Sequence, residues 1–558
     1  MTPKNRPILF ILMLVVGIYI GKGCNEFGDP SFYSNSRVTD LLDQIDYLYV
    51  DSIDRHALEE AAVQAIIEEL DPHSYYFSEE ELASIAEPLA GGFEGVGVEF
   101  LIQNDSLMVV TALPGGPSES AGIRAGDRII KVDTLEISGP ELTNNKVIKL
   151  LKGKGGTVVN LQLLRSNSQE VYEVEIIRAR IPIHSVVASI LVEEEIGYIK
   201  IIRFSATTSD EFKTALVSLQ MRGANSFVID LRGNGGGYLE AATDMIDRFL
   251  PEGLPIVYTE GKSSPRYTYS SLYDGEYSHI PLVVLIDEGS ASASEIFAGA
   301  LQDNDRGLII GRRSFGKGLV QNEYHIEDEG ALRLTVARFY TPSGRAIQKP
   351  YGEGIVYDQD RADRLESGEL YSADSIKVTD SIAYMTSLGR EVFGGGGITP
   401  DIFIPLDSTE NNRALAELVW SGTLRNAAFD WVDANRIRLD KMSSSVELSS
   451  SALWNDDTVG GLAQITNASK EQNNFTPRWN SEEEERIMER FLAQVSRNIF
   501  GESAYYLVLS EGDEFIDRAI YELLERSRFQ LRDGRLYLLP ANAETLISES
   551  FNLTPNGF

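Results

Sequence analysis

Cysteine is nearly missing: Cys24 is the only one in 558 residues. No intrachain disulfide can form, and sites built on metal-bound thiolates are excluded. Histidine is sparse, and the five present (His56, His73, His184, His279, His325) show no ligand spacing. No structural metal is expected. Basic runs are short, with Gly311-Arg312-Arg313 typical, and the formal net charge is −34. A nucleic-acid binder needs basic patches for phosphates, so that class is excluded. The acidic balance fits a large secreted protein kept soluble by its charge. Internal repeats are lacking. Two nucleotide fingerprints fail as well. Gly95-Val96-Gly97 would need a third glycine where Phe100 stands, and Gly311 to Lys317 is followed by Gly318 where a phosphate loop needs Ser or Thr to hold Mg²⁺. The residues after Gly318 also read as extended, where a phosphate loop should open a helix.

Several domains are expected from the length. Lys4 and Arg6 precede an apolar run over residues 7–21. That run is shorter than the ~20 residues that comfortably span a bilayer. Residues 1–24 read as a signal peptide or signal anchor, and Lys22 fits a lipoprotein cysteine at Cys24 poorly. Residues 30–90 read as a helical segment, with Leu41, Leu42, Ile45 and Leu48 at helical spacing. Pro72 ends that pattern, and His73 reads as a packed or capping residue. Residues 91–180 turn β-rich, with short alternating runs between turns. From 181 to 406 the order is strand, glycine-rich turn (Gly233 to Gly237), helix, strand, serine turn, helix. This is the sequence form of βαβ units, whose sites lie at the strands' carboxyl ends. Residues 351–380 read as a polar, acidic insertion. Residues 407–558 read as a mostly helical accessory region, with Ser443 to Ser445 as linker and a capping box opening at Ser481.

The chemistry concentrates at two places. Ser290, Ser292 and Ser294 alternate with alanines directly before an apolar helical pattern (Ile296, Phe297, Ala300, Leu301). A serine at a helix N-terminus lies beside unpaired N–H groups and the positive end of the dipole. Acyl transfer needs such a place for its nucleophile and oxyanion. The base can be Lys317, flanked by two glycines, where burial can strip its proton. Spacing does not choose among the three serines. A serine there can also be a plain helix cap. Asp303, at the end of this helix, reads as a salt-bridge or capping residue, and Arg232 as a brace of the glycine turn.

Two resemblances add to this reading. The stretch from Pro117 to Val132, with Ser-Ala-Gly-Ile-x-x-Gly-Asp-x-Ile at its centre, resembles a PDZ domain covering about ninety residues. Leu-Asp-Pro-His-Ser at 70–74, Asp-Leu-Arg-x-Asn-x-Gly-Gly at 230–237, Ser-Ala-Ser-Ala-Ser-Glu at 290–295, Ser-Phe-Gly-Lys-Gly-Leu-Val-Gln at 314–321 and Gly-Gly-Gly-Ile-x-Pro-Asp at 395–401 together resemble the carboxy-terminal processing peptidases, or tail-specific proteases. The likeness runs from about residue 70 to 405 and does not cover the tail. It implies a multidomain α+β protein: N-terminal helical segment, PDZ-like domain, α/β Ser-Lys protease core and helical C-terminal region. Position by position, it implies Ser292 as nucleophile, Lys317 as general base and Gln321 as the lysine's support. It implies the backbone N–H groups of Gly236 and Ala293 as oxyanion donors. The loop Gly95, Val96, Gly97, Val98 would hold a substrate's C-terminal carboxylate. No metal, nucleotide or organic cofactor is implied. The expected partners are protein or peptide substrates with accessible C-termini, in a bacterial envelope, periplasmic or extracytoplasmic, with membrane contact only through the N-terminal segment. An activating adaptor, the oligomeric state and the natural substrate stay open. The rival readings are an inactive PDZ scaffold and an α/β hydrolase. The hydrolase usually needs Gly-x-Ser-x-Gly, which Ala-Ser-Ala does not match.

Overall fold

The computed structural model describes residues 37–103, 105–165, 170–326, 330–352, 354–377, 382–407, 413–454, 465–467, 469–470, 479–532 and 535–539. The targeting segment and Cys24 lie outside the described residues. No helix among the described residues is long and apolar enough to cross a membrane.

Residues 1–76 and 77–558 form two compact units. The first holds α1 (Arg37–Leu48) and α2 (Arg55–Glu68). Asp54 caps α2 by accepting the Ala57 N–H at 3.2 Å. Past Pro72 the expected helical stretch is broken. Asp71 accepts the backbone N–H groups of His73 and Ser74, and the chain extends as a short strand at Tyr75–Phe77. The cause is local: Pro72 and the Asp71 side chain favour a turn over continued helix. In the second unit, α3 (Glu79–Leu89) leads into the β-rich domain.

That domain is closed at its base by β1 (Gly92–Gly95), which pairs with a later strand, Ala179–Pro182. Its sheet runs β2 (Val98–Gln103), β3 (Ser106–Ala112), β4 (Arg128–Val132), β5 (Val158–Leu164), β6 (Val171–Ile177), in that spatial order and antiparallel. Helix α4 (Asn144–Leu151) is capped by Thr143. It packs Val147 and Leu151 against Val109, Ile129 and Leu161. Strand β5 alternates exposed and buried side chains, as a half-covered sheet requires. The strand that pairs with β1 is β7 (Ala179–Pro182).

The core sheet comprises β8 (Val186–Glu193), β9 (Ile196–Ile201), β10 (Ser226–Asp230), β13 (Leu282–Ile286), β14 (Leu308–Gly311) and β17 (Ile402–Phe403), in that spatial order. The intervening β11 (Pro255–Glu260) and β12 (Tyr267–Ser270), with β15 (Leu319–Ile326) and β16 (Gly330–Tyr340), build a second, antiparallel sheet. Only the β8–β9 pair of the core sheet is antiparallel. Every residue of β9, β10 and β13 is buried, because helices cover both faces of these parallel strands. One face packs against α5 (Thr208–Met221), α6 (Leu239–Asp247) and α7 (Ala293–Asp303) through Phe212, Phe249 and Phe297.

The other face is covered by the C-terminal region. Val228, Val283, Leu285 and Ile310 pack against Phe515, Ile516, Ala519 and Leu523 of α14 (Glu514–Glu525). The preceding helices are α8 (Asp360–Glu366), α9 (Arg413–Trp420), α10 (Thr423–Leu439), α11 (Ser445–Ser449), α12 (Ser481–Phe500) and α13 (Glu502–Ser510). Trp431, Trp454 and Phe491 centre a separate cluster there. The hairpin β18 (Phe529–Arg532) and β19 (Arg535–Leu538) follows α14. Two local readings are corrected. Ser444 is no linker residue: it caps α11 by accepting the Glu447 N–H at 3.2 Å. The capping box of α12 starts one residue earlier, at Asn480, because Glu483 reaches back to the Asn480 N–H at 2.7 Å.

Candidate active site

Parallel pairing of β10 with β13 aligns Asp230 with Leu285. The turns after the two strands therefore meet. The first is the glycine turn, Gly233 to Gly237; the second ends in Ser292, the cap residue of α7. Gly236 (φ +99°) lies so close to this cap that a Cβ would meet the Ala291 oxygen at 2.7 Å, the Ser292 Cβ at 2.8 Å and the Ala293 nitrogen at 3.0 Å. A side chain cannot fit, and the backbone conformation favours glycine. Asn234, fully buried, holds the two turns together. Its carbonyl oxygen accepts the Ala291 N–H (3.0 Å) and the Ser294 hydroxyl (2.8 Å). Its Oδ1 accepts the Gly236 N–H at 2.9 Å. That N–H, one of the expected oxyanion donors, is thus engaged inside the turn. Ala293 opens α7, where N–H groups have no acceptor within the helix.

The three serines have different surroundings. The buried Ser290 hydroxyl donates to the Leu231 carbonyl at 2.9 Å, and the buried Ser294 hydroxyl to Asn234. Ser292 is half-buried at the helix cap with φ +54° and ψ −113°. A non-glycine residue held there carries strain of order 1–3 kcal/mol, a feature that clusters at functional sites.

Glu295, in the first turn of α7, is a site residue that the sequence analysis does not single out. It is fully buried and collects four donors. Oε2 accepts the backbone N–H groups of Ser292 (2.8 Å) and Lys317 (2.8 Å); Oε1 accepts the Gly316 N–H (2.7 Å) and the Ser314 hydroxyl (2.6 Å). One carboxylate therefore ties the serine turn to the lysine loop. Burial pushes the Glu295 carboxyl up to about 7, although these four donors favour the charged form. The Ser-x-x-Glu spacing of 292 and 295 is the sequence signal for half of this arrangement. The partners at 314–317 carry none.

Lys317 lies between β14 and β15, half-buried. Its Nζ donates to Oε1 of Gln321 at 3.3 Å. The β15–β16 register slips between Val320 and Gln321. Such a bulge re-aims a side chain, and here it falls at Gln321. Residues of the expected insertion brace this loop. Arg364 of α8, buried, donates to the carbonyls of Arg313 (3.1 Å), Ser314 (2.9 Å) and Phe315 (3.3 Å). Glu369 pairs with Arg313 at 2.7 Å. Asp303 forms a fully buried ion pair with Arg345 at 2.7 Å. Arg232 braces the start of the glycine turn, binding Asp230 (2.6 Å) and Asp513 (2.8 Å) and lying 4.5 Å over the Phe515 ring. Burial would raise the Asp230 carboxyl, but Arg232 and Lys200 hold it well below the usual range.

In the β-rich domain, the loop Gly95, Val96, Gly97, Val98 precedes β2. Gly97 has φ +78°, and the Val96 carbonyl accepts the Ser118 N–H (3.0 Å) and hydroxyl (2.6 Å). A groove lies between β2 and α4 of this domain.

The fold and these motifs define a serine peptidase core joined to a PDZ domain. Residues 195–360 match the model of peptidase family S41, and residues 108–165 match the PDZ domain. The chain is 37% identical over 328 residues to the carboxy-terminal-processing protease of Bartonella bacilliformis, covering 58% of this chain and 74% of that protein. It is 33% identical over 380 residues to the carboxy-terminal processing protease CtpA of Bacillus subtilis, covering 67% and 80%. A solved photosystem II D1 C-terminal processing protease is 27% identical, covering 66% of this chain and 92% of that one, with a TM-score of 0.34. The chain belongs to peptidase family S41, the carboxy-terminal processing serine proteases.

Proposed function

We propose that the chain hydrolyses peptide bonds with a Ser292–Lys317 dyad, on polypeptides captured by their C-termini. The observation that carries this reading is the shared Glu295 carboxylate, which binds the backbone of both residues. Lys317 must be neutral to serve. Its Nζ takes the hydroxyl proton as Ser292 Oγ attacks the carbonyl carbon. The oxyanion rests on the Ala293 N–H and on the Gly236 N–H, which must be released from, or shared with, Asn234. Lys317 then returns the proton to the leaving amine nitrogen, and water attacks the ester by the same route in reverse. Gln321 keeps the ammonium aimed. Of the three serines, Ser290 and Ser294 are committed to backbone carbonyls, which supports Ser292 as the nucleophile.

The Gly95–Val98 loop is the proposed carboxylate cradle, with the tail pairing along β2. The basic-then-apolar N-terminus supports a place in the bacterial envelope, facing outward from the inner membrane. The test is cleavage of an unfolded protein, without ATP or metal, by the native chain and by Ser292→Ala and Lys317→Ala. Both variants should melt like the native chain and leave the substrate intact. Substantial residual cleavage by either purified variant would sink the dyad.

A further inference from the structure

The groove between β2 and α4 is a cleft of about 590 Å³, and one of its walls does not belong to the PDZ domain. Phe100 and Ile102 line it from β2, Thr143 and Ile148 from the α4 side, and Arg425 and Asn426 from α10 of the C-terminal region. Strand β2 ends its sheet, so its outer backbone groups are open to another strand. Helix α10 is fixed in place. One turn after Arg425, Phe429 is buried against Met108 and Val110 of β3, with Leu101 packed beside them. Asp430 accepts the Gln103 side-chain amide at 2.9 Å, and Arg497 of α12 pairs with Glu99 at 3.3 Å.

Arg425 is the one charged residue lining the cleft. It is exposed and makes no ion pair among the described residues, in a chain with 84 acidic and 50 basic side chains. Beside it, Asn426 Oδ1 is buried without a hydrogen-bond partner among the described residues. An unpaired guanidinium at the end of this groove fits an incoming polypeptide with a carboxylate side chain.

We infer that Arg425 completes the tail-binding groove and selects C-terminal tails that carry an acidic residue upstream of an apolar terminus. This rests on the capture reading above. A tail held at Gly95–Val98 and added antiparallel to β2 sends its upstream residues past Phe100 toward Gln103, where α10 stands. The acidic position is then about two to four residues before the terminus, at ~3.3 Å per residue of strand.

The test uses the full chain carrying Ser292→Ala, with fluorescent peptides that share an apolar terminus and differ by Glu, Gln or Lys three residues before it. Anisotropy should give tighter binding of the Glu peptide than the Lys peptide by about fivefold at low salt, shrinking as salt is added. Adding Arg425→Glu should reverse that order, and Arg425→Gln should erase it, both with an unchanged melting temperature. Equal binding of the Glu and Lys peptides to the Arg425 protein would overturn the inference and leave the capture reading standing. Failure of every peptide to bind, or binding indifferent to amidation of the terminus, would overturn the capture reading and the inference with it.

Discussion

At the scale of single residues, the site depends on a group that performs no bond chemistry. Glu295 has only donors around it, so it must stay ionised to accept all four. Protonation would turn one oxygen into a donor facing other donors. With the carboxyl pushed by burial to about 7 from an ordinary 4.5, hydrolysis should fall as pH drops through 7. The sign for stability is opposite. A carboxyl raised in the folded state contributes fully below about 4.5 and loses that contribution as pH rises through about 7. Relative to Glu295→Gln, the native chain should therefore lose stability over that interval while it gains activity. Glu295→Gln, with an NH₂ facing two of the donors, should lower kcat by about 100-fold through misplacement of Ser292 and Lys317. It should also remove the inflection near 7 from the pH–rate profile. An unchanged inflection in the variant would assign it to another group. The motifs of the chain point to Ser292 and Lys317 readily, because short glycine and serine patterns surround them. Glu295 is only half legible. Its spacing to Ser292 is a helix-start signal, but Ser314, Gly316 and Lys317 lie across a whole strand, and no local pattern records that distance.

At the scale of elements, strands without polar interruption are the easiest to read. Strands β13 and β14 are unbroken apolar runs, as strands covered on both faces are. Helix α7 is harder. All eleven of its residues are buried, including Gln302 and Asp303, so the apolar face visible in the sequence understates its burial. Its end is held by the Asp303–Arg345 pair, and Ser343 donates to the same carboxylate at 2.6 Å. Removing one partner leaves a buried charge unpaired. Asp303→Ala should cost about 3–5 kcal/mol in thermal or urea denaturation. A loss below 1 kcal/mol would mean that water or a neighbour replaces the carboxylate. The acidic stretch 351–380 reads as plain insertion because its composition is polar. Its buried Arg364 and Glu369 instead brace the loop that carries Lys317, a role set by tertiary contacts alone.

At the scale of the whole molecule, the tail beyond the family likeness is structural. The amphipathic pattern of α14 predicts a helix but says nothing about its partner, which proves to be the second face of the core sheet. Truncation after Leu406 should expose Val228, Val283, Leu285 and Ile310 to water. The shortened chain should aggregate or lose its cooperative melting transition. A soluble fragment melting within a few degrees of the full chain would contradict this packing. The same tail reaches the PDZ domain through Phe429 and Asp430, so one region covers the core sheet and lines the groove between β2 and α4.

The most direct test of the account is mass spectrometry of the enzyme quenched in acid during turnover of a peptide ester. The account predicts an acyl adduct on Ser292 in the native chain and none in Ser292→Ala or Lys317→Ala. An adduct on Ser290 or Ser294, or an adduct on Ser292 that forms equally fast without the Lys317 amine, would contradict it.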